Sequence, residues 1–194
     1  MIRFILLLLF LKCVAMIVLG ELTAICIMKT AFGEKKGVAI FRQKSPNVAT
    51  SIEAKFIGLD PNTKRGFHLQ ELGDFSRYCL STAGHYNPFG KNHGDITDFD
   101  RHVGDLGNII VDANGNSYFN KWNDLLSLRG DYTIVGRTCT LHTSEDDLGR
   151  GSGPESKKNG HAGGRAACGI IGFARNNITL DSVSFEDDSN FNDS

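Results

Sequence analysis

Residues 66–107 read GFHLQELGDFSRYCLSTAGHYNPFGKNHGDITDFDRHVGDLG and hold His68, His85, His93 and His102, four of the six histidines in the chain. Asp105 closes the run shortly after His102. His85, His93 and His102, evenly spaced and followed by a carboxylate, match the nitrogen and oxygen donors of a tetrahedral metal site. The segment opens in strand alternation, with Phe67 and Leu69 pointing into a core and His68 and Gln70 pointing the other way. A second ligand two residues after His68 would complete a fuller pattern, but that position is Gln70. The stretch therefore reads as a β-strand that runs into a long histidine loop.

Upstream, residues 22–28, 37–42 and 49–57 are short apolar or alternating runs, with Ile52, Ala54 and Phe56 on one face of the third. Downstream, strands are expected at 66–72, 107–111, 117–122, 133–142 and 169–174. Turn chemistry separates them: Ser45-Pro46-Asn47, Asp60-Pro61-Asn62 and Asp112-Ala113-Asn114-Gly115-Asn116. About eight short strands with no convincing helix, in a chain with 22 glycines, give an all-β sandwich or barrel. Segments 73–104 and 143–165 are long, polar and aperiodic, which marks functional loops. In the run 138–142, parity buries Cys139 and Leu141 and turns His142 outward. His68, Gln70 and His142 are thus expected to meet on the outer face of the barrel, beneath the histidine loop.

The chain has 194 residues and a formal charge of −1, which excludes nucleic acid as the main partner. Residues 1–20 carry Arg3, a Leu/Phe/Ile run and small residues before Gly20-Glu21, the pattern of a cleaved secretory signal. Lys12 interrupts the apolar run, leaving segments shorter than the roughly 20 residues of a membrane span. Secretion is the expectation, an uncleaved membrane anchor the alternative; once cleaved, the chain has no stable membrane attachment. The domain is expected over 21–175 and an acidic, mobile tail over 176–194, with a glycosylation sequon at Asn177-Ile178-Thr179. Cys26, Cys79, Cys139 and Cys168 remain after cleavage, and four cysteines allow three complete pairings.

The chain closely resembles the copper–zinc superoxide dismutases. The resemblance is carried by Gly66-Phe67-His68, Cys79, Ala83-Gly84-His85, Asn87-Pro88, Lys91-Asn92-His93-Gly94 and the run from Arg101 to Asn108. It continues through Gly136-Arg137-Thr138, His142, Asp146-Asp147-Leu148-Gly149, Gly163-Gly164-Arg165 and Cys168-Gly169. It implies an eight-stranded Greek-key β-barrel, a Cys79–Cys168 disulfide, and Cys26 and Cys139 as buried thiols. It implies zinc on His85, His93, His102 and Asp105, and copper on His68, His85 and His142, with Gln70 at the place of a fourth copper histidine. Asp146 matches the carboxylate that orients His68 and His93 from behind. Arg165 matches the arginine beside the copper, and Lys158 a lysine that steers the substrate, superoxide anion. The family's dimer face falls on Ile25, Ile27, Gly73, Val135 and Phe173, so a homodimer is allowed. Gln70 departs from the pattern: a neutral carboxamide is a weaker donor than imidazole, which implies lowered copper affinity or a non-catalytic zinc-stabilised relative that binds copper or acts as a decoy.

Overall fold

A computed structural model describes residues 20–185. The expected signal segment, up to residue 19, and residues 186–194 lie outside the described residues. Ten strands are found in chain order among the described residues: β1 (Leu22–Lys29), β2 (Lys35–Gln43), β3 (Thr50–Phe56), β4 (Lys64–Gln70), β5 (Ser76–Cys79), β6 (Asp105–Ile110), β7 (Ser117–Asn123), β8 (Thr138–His142), β9 (Arg165–Ile170) and β10 (Gly172–Ala174). Eight of them hydrogen-bond in the order β6-β4-β8-β9-β1-β2-β3-β7, an antiparallel sheet curled into a nearly closed barrel. After the β1-β2-β3 meander the chain crosses to β4, which pairs with β6 and β8, and this crossing is the Greek-key step.

Alternation drives the packing. β3 alternates buried and half-buried residues along its length, as a strand does when one face meets a core. Phe67 of β4 is the hub, meeting Phe56 and Phe119 edge-to-face at centroid distances of 5.3 and 5.6 Å. Phe41, Ile52, Leu69, Leu106 and Leu141 complete this interior without measurable exposure or nearly so. β4 departs from simple alternation, because every residue from Arg65 to Gln70 is buried. Its outer face, bearing His68 and Gln70, is covered by the two long loops rather than by solvent.

Three details differ from the sequence expectation. The run 133–142 yields strand only over Thr138–His142, while Thr133 makes an isolated bridge to Ser127. The last strand starts earlier, at Arg165, and breaks at Ile171, whose N–H bonds Arg137 O outside the ladder, so that β10 returns to pair with β1. The second long loop carries a short helix, α1 (Ser156–Asn159), and a single 3₁₀ turn forms at Leu180–Ser182. That turn belongs to the segment expected to be mobile: Arg42 Nη2 donates to Ile178 O at 2.5 Å and Lys35 Nζ to Ser184 O at 3.4 Å, strapping residues 176–185 across β2 and β3. Asn177 is exposed on this strap.

Cys79 and Cys168 are joined by a disulfide, with Cα atoms 5.9 Å apart, and Cys26 and Cys139 are buried free thiols. The bridge fastens the histidine loop to β9.

Candidate metal centre

His68 lies on β4 and His142 ends β8, and the β4–β8 register pairs His68 with Thr140. The two imidazoles are therefore neighbours on one face, with centroids 4.8 Å apart. The histidine loop is stitched back on β4 by Tyr86 N to Leu69 O at 2.8 Å and Leu69 N to Gly104 O at 2.8 Å. A Cβ on Gly104 would lie 2.3 Å from Leu69 O, so only glycine permits this approach. The stitching lowers His85 over the strand, with its ring centroid 4.1 Å from that of His68.

Two donor clusters result, and His85 belongs to both. In the first, Asp105 Oδ1 lies 2.8 Å from His85 Nδ1, 2.9 Å from His93 Nδ1 and 3.1 Å from His102 Nδ1. The other carboxylate oxygen is held by the backbone N–H groups of His102, at 2.9 Å, and Gly94, at 3.1 Å. Three ring nitrogens turned onto one carboxylate oxygen, the four donor atoms all within 4.8 Å of one another, form a compact cage. Zinc bonds of about 2.0–2.1 Å give tetrahedral edges of roughly 3.3 Å, so these four donors fit zinc.

The second cluster is His68, His85 and His142. His68 Nε2 is spent on Asp146 Oδ2 at 2.8 Å, and His142 Nδ1 faces Gly163 O at 3.3 Å. That leaves His68 Nδ1 and His142 Nε2 buried and without a partner among the described residues. Buried polar atoms left bare are costly, and imidazole nitrogens converging in this way suit copper. The donor set fits that metal as well.

Asp146 lies behind both clusters. Its Oδ2 takes His68 and its Oδ1 takes His93 Nε2 at 2.7 Å, fixing which nitrogen each ring turns inward. Asn108 grips the Asp146 backbone from both sides, at 2.8 Å each. Gly160, which ends α1 at φ 68°, lets the second loop close down here: a Cβ there would sit 1.8 Å from Asp146 Oδ1 and 2.5 Å from His93 Nε2.

Charge follows from these contacts. Burial pushes the Asp105 and Asp146 carboxyls up, but their histidine hydrogen bonds outweigh it and hold both below the usual carboxylate range. Burial, reinforced by the neighbouring His68, lowers His85 to about 3, and the same causes with His85 lower His142 to about 2. Both rings are thus neutral and ready to act as ligands at neutral pH. His93 differs: burial opposes its charge, yet Asp105 and Asp146 raise it to about 9. Metal-free His93 therefore carries a proton at neutrality and sheds it above about pH 9. Zinc uptake at about pH 7.5 is expected to release that proton, about one per site. Calorimetry in buffers of different ionisation enthalpy reads it, and this contribution should vanish near pH 10; a release that is absent at the lower pH would refute the assignment.

Arg165 is the β9 partner of His142. Its Nη1 donates to Cys79 O and, at 2.8 Å, to Thr82 Oγ1, while Nη2 donates to Ala83 O. A cavity of about 320 Å³ opens beside it, lined by His85, His142, Gly163, Lys158 and Arg165. Lys158 is exposed on α1, near Glu155 Oε1 at 3.5 Å. A larger cavity, of about 490 Å³, lies between β3, β7 and the C-terminal strap, and none of the histidines lines it.

Gln70 is fully buried and bridged to His85. Its hydrogen bonds are satisfied when Nε2 donates to Gly84 O at 3.0 Å and Ala83 O at 3.2 Å. The reverse orientation sets Oε1 against the same two carbonyl oxygens, relieved only by a 3.4 Å contact from Arg165, so we assign the first. Sequence reasoning missed Thr82, Asn108 and Gly160, whose roles rest on single long-range contacts that no periodicity records. His161 is half exposed and pairs with Asp147 Oδ2 at 2.7 Å. Ser156 holds the other Asp147 oxygen at 2.8 Å.

Residues 35–171 match the family described as "Copper/zinc superoxide dismutase (SODC)". Among similar proteins, a superoxide dismutase [Cu-Zn] of Neurospora crassa is 47% identical over 140 residues, covering 72% of this chain and 91% of that protein. One from Pleurocordyceps sinensis is 43% identical over 153 residues, covering 78% and 97%. A crystal structure of the clock protein EA4 superposes with a TM-score of 0.73 at 40% identity, covering 81% of this chain and 96% of that one. With the barrel, the disulfide and the two clusters that share His85, these matches place the chain in the copper/zinc superoxide dismutase family.

Proposed function

We propose that this protein converts superoxide to oxygen and hydrogen peroxide at copper held by His68, His85 and His142, beside zinc held by His85, His93, His102 and Asp105. Its hold on copper is weaker than that of a four-histidine site, because Gln70 occupies the fourth position. The observation that carries the reading is the convergence of His68 Nδ1 and His142 Nε2, buried and unpartnered, with His85 under a cavity that Arg165 borders.

Bound copper supplies a one-electron carrier, so that one superoxide leaves as oxygen while a second takes that electron and two protons to leave as hydrogen peroxide. The chain provides the rest. Arg165, tied to three loop oxygens, sets a permanent positive charge at the cavity. Lys158, exposed on α1, adds a second. A local funnel of charge steers a small anion whatever the net charge, and superoxide dismutases are an established example. When free of copper, His85 Nε2, not committed to Asp105, would be the nitrogen to carry one of these two protons, water supplying the other.

One observation favours a second reading, a non-catalytic, zinc-stabilised relative that serves as a copper-binding or decoy module: Gln70 is turned to the loop carbonyls. Metal analysis and superoxide consumption, measured for the native protein beside Gln70→His, separate the two. The first reading expects copper, zinc and measurable turnover in the native protein, with more of both copper and turnover in the variant. Native protein that holds zinc without copper and consumes no superoxide establishes the second.

Secretion with cleavage near Gly20–Glu21, glycosylation of exposed Asn177, and pairing through a face that exposes Ile27 and Phe173 are parts of the same proposal. No helix among the described residues is long and apolar enough to cross a membrane. Intact mass and sedimentation of protein recovered from the medium check these points; a full-length, unmodified monomer would contradict all three.

A further inference from the structure

In the orientation that satisfies its hydrogen bonds, Gln70 makes two that an imidazole in its place could not both make. Both protons of its carboxamide nitrogen go to the carbonyls of Ala83 and Gly84, the two residues immediately before His85. A neutral histidine has one N–H, and a histidine that binds metal through the other nitrogen has at most that one to offer. Ala83 is in the left-handed region at φ 64°, which a residue with a Cβ rarely occupies unless its surroundings hold it there. The same Ala83 carbonyl accepts from Arg165 Nη2. The strained turn that delivers His85 to both clusters is paired through the backbone by Glu71 N–H to Gly84 O at 2.9 Å and Leu72 N–H to Thr82 O at 3.0 Å, and is further held by Gln70 on the barrel side and by Arg165 on the cavity side.

The nitrogen end of Gln70 is held by the loop, and its only metal-binding atom, the carboxamide oxygen, is a harder and weaker donor for copper than imidazole. The cluster offers three imidazole nitrogens and no fourth. Monovalent copper, with a filled d shell, is well served by three nitrogens, whereas divalent copper prefers four or more in a tetragonal array. We propose that Gln70 is a positioning residue for the turn before His85, and that the site it leaves is a three-imidazole site selective for Cu(I) over Cu(II). This rests on the copper reading given above and deepens it. The carboxamide is a structural replacement for a ligand, with the oxidation-state preference of the site as its consequence.

The test uses full-length, zinc-loaded protein and two titrations. Cu(I) is titrated anaerobically against a chromogenic Cu(I) chelator, and Cu(II) aerobically against a Cu(II) chelator. Native protein is compared with Gln70→His and Gln70→Ala. A fourth imidazole in Gln70→His is expected to raise Cu(II) affinity by about 100-fold while moving Cu(I) affinity by less than about tenfold. Gln70→Ala, which frees the turn without adding a ligand, is expected to weaken Cu(I) binding by about 10-fold or more. The Cu(II) electron paramagnetic spectrum should change from fewer than four nitrogens in native protein to a tetragonal four-nitrogen signature in Gln70→His.

Equal Cu(II) affinities in native protein and Gln70→His overturn the selectivity. Unchanged Cu(I) binding in Gln70→Ala overturns the positioning role, and a native protein that takes up no Cu(I) overturns the proposal as a whole. These readouts do not depend on turnover. A protein that shows the expected affinities yet consumes no superoxide sinks the dismutase reading and leaves this one standing.

Discussion

Replacing Asp146 by alanine is expected to weaken binding at both metal clusters, by about 10–100-fold each, and to destabilise the metal-free barrel by about 3–5 kcal/mol. The side chain is fully buried, ionised at neutral pH, and bonded to His68 and His93 at 2.8 and 2.7 Å. Its removal leaves two buried ring nitrogens bare and raised His93 without one of its two counter-charges. It also takes the acceptor from Leu148 N, which now bonds Asp146 Oδ1 at 2.7 Å, so the second loop should loosen where it closes over the site. Chelator competition for zinc and copper, with urea unfolding of the metal-free protein, measures both effects. A variant that keeps native affinity for both metals would show that the loops alone orient the rings.

Loss of the disulfide is the second large effect. Cys79 and Cys168 are 89 residues apart, and closing so long a loop in the unfolded chain is worth about 4–5 kcal/mol on loop-closure entropy. The bridge does more than shorten the unfolded chain. Cys79 O receives Arg165, so freeing Cys79 releases one of the oxygens that aim the guanidinium at the cavity. Cys79→Ser with Cys168→Ser should therefore unfold at markedly lower denaturant and lose substrate attraction, seen as a weaker dependence of rate on ionic strength. Cys26 and Cys139 offer no substitute, being sealed in the core. A double variant within about 1 kcal/mol of the native protein would contradict this account.

Much of this was legible in the sequence because period-two alternation carries the barrel. Phe67 and Leu69 against His68 and Gln70 fixed the two faces of β4, and the spacing of His85, His93, His102 and Asp105 marked one donor cluster. What alternation could not show is that the outward face of β4 is also buried, since its cover comes from two aperiodic loops. The short β5, the break at Ile171 and the strap over β2 are set by single side-chain or backbone contacts, such as Arg42 on Ile178 O, far apart in sequence. Composition made the strap look like a free tail because two of its anchors are the backbone carbonyls of Ile178 and Ser184, which every residue has. The orientation of Gln70 was likewise invisible: its meaning depends on which carbonyls its nitrogen reaches.

The single ring of His85, with Nδ1 on Asp105 and Nε2 left for the neighbouring cluster, imposes a thermodynamic symmetry on the molecule. Ligation at one nitrogen changes the basicity and orientation of the other, so the two ions are effectors of each other through one five-membered ring. By linkage, whatever factor zinc adds to copper affinity, copper must return to zinc. Scarcity of either ion is thus felt at both sites.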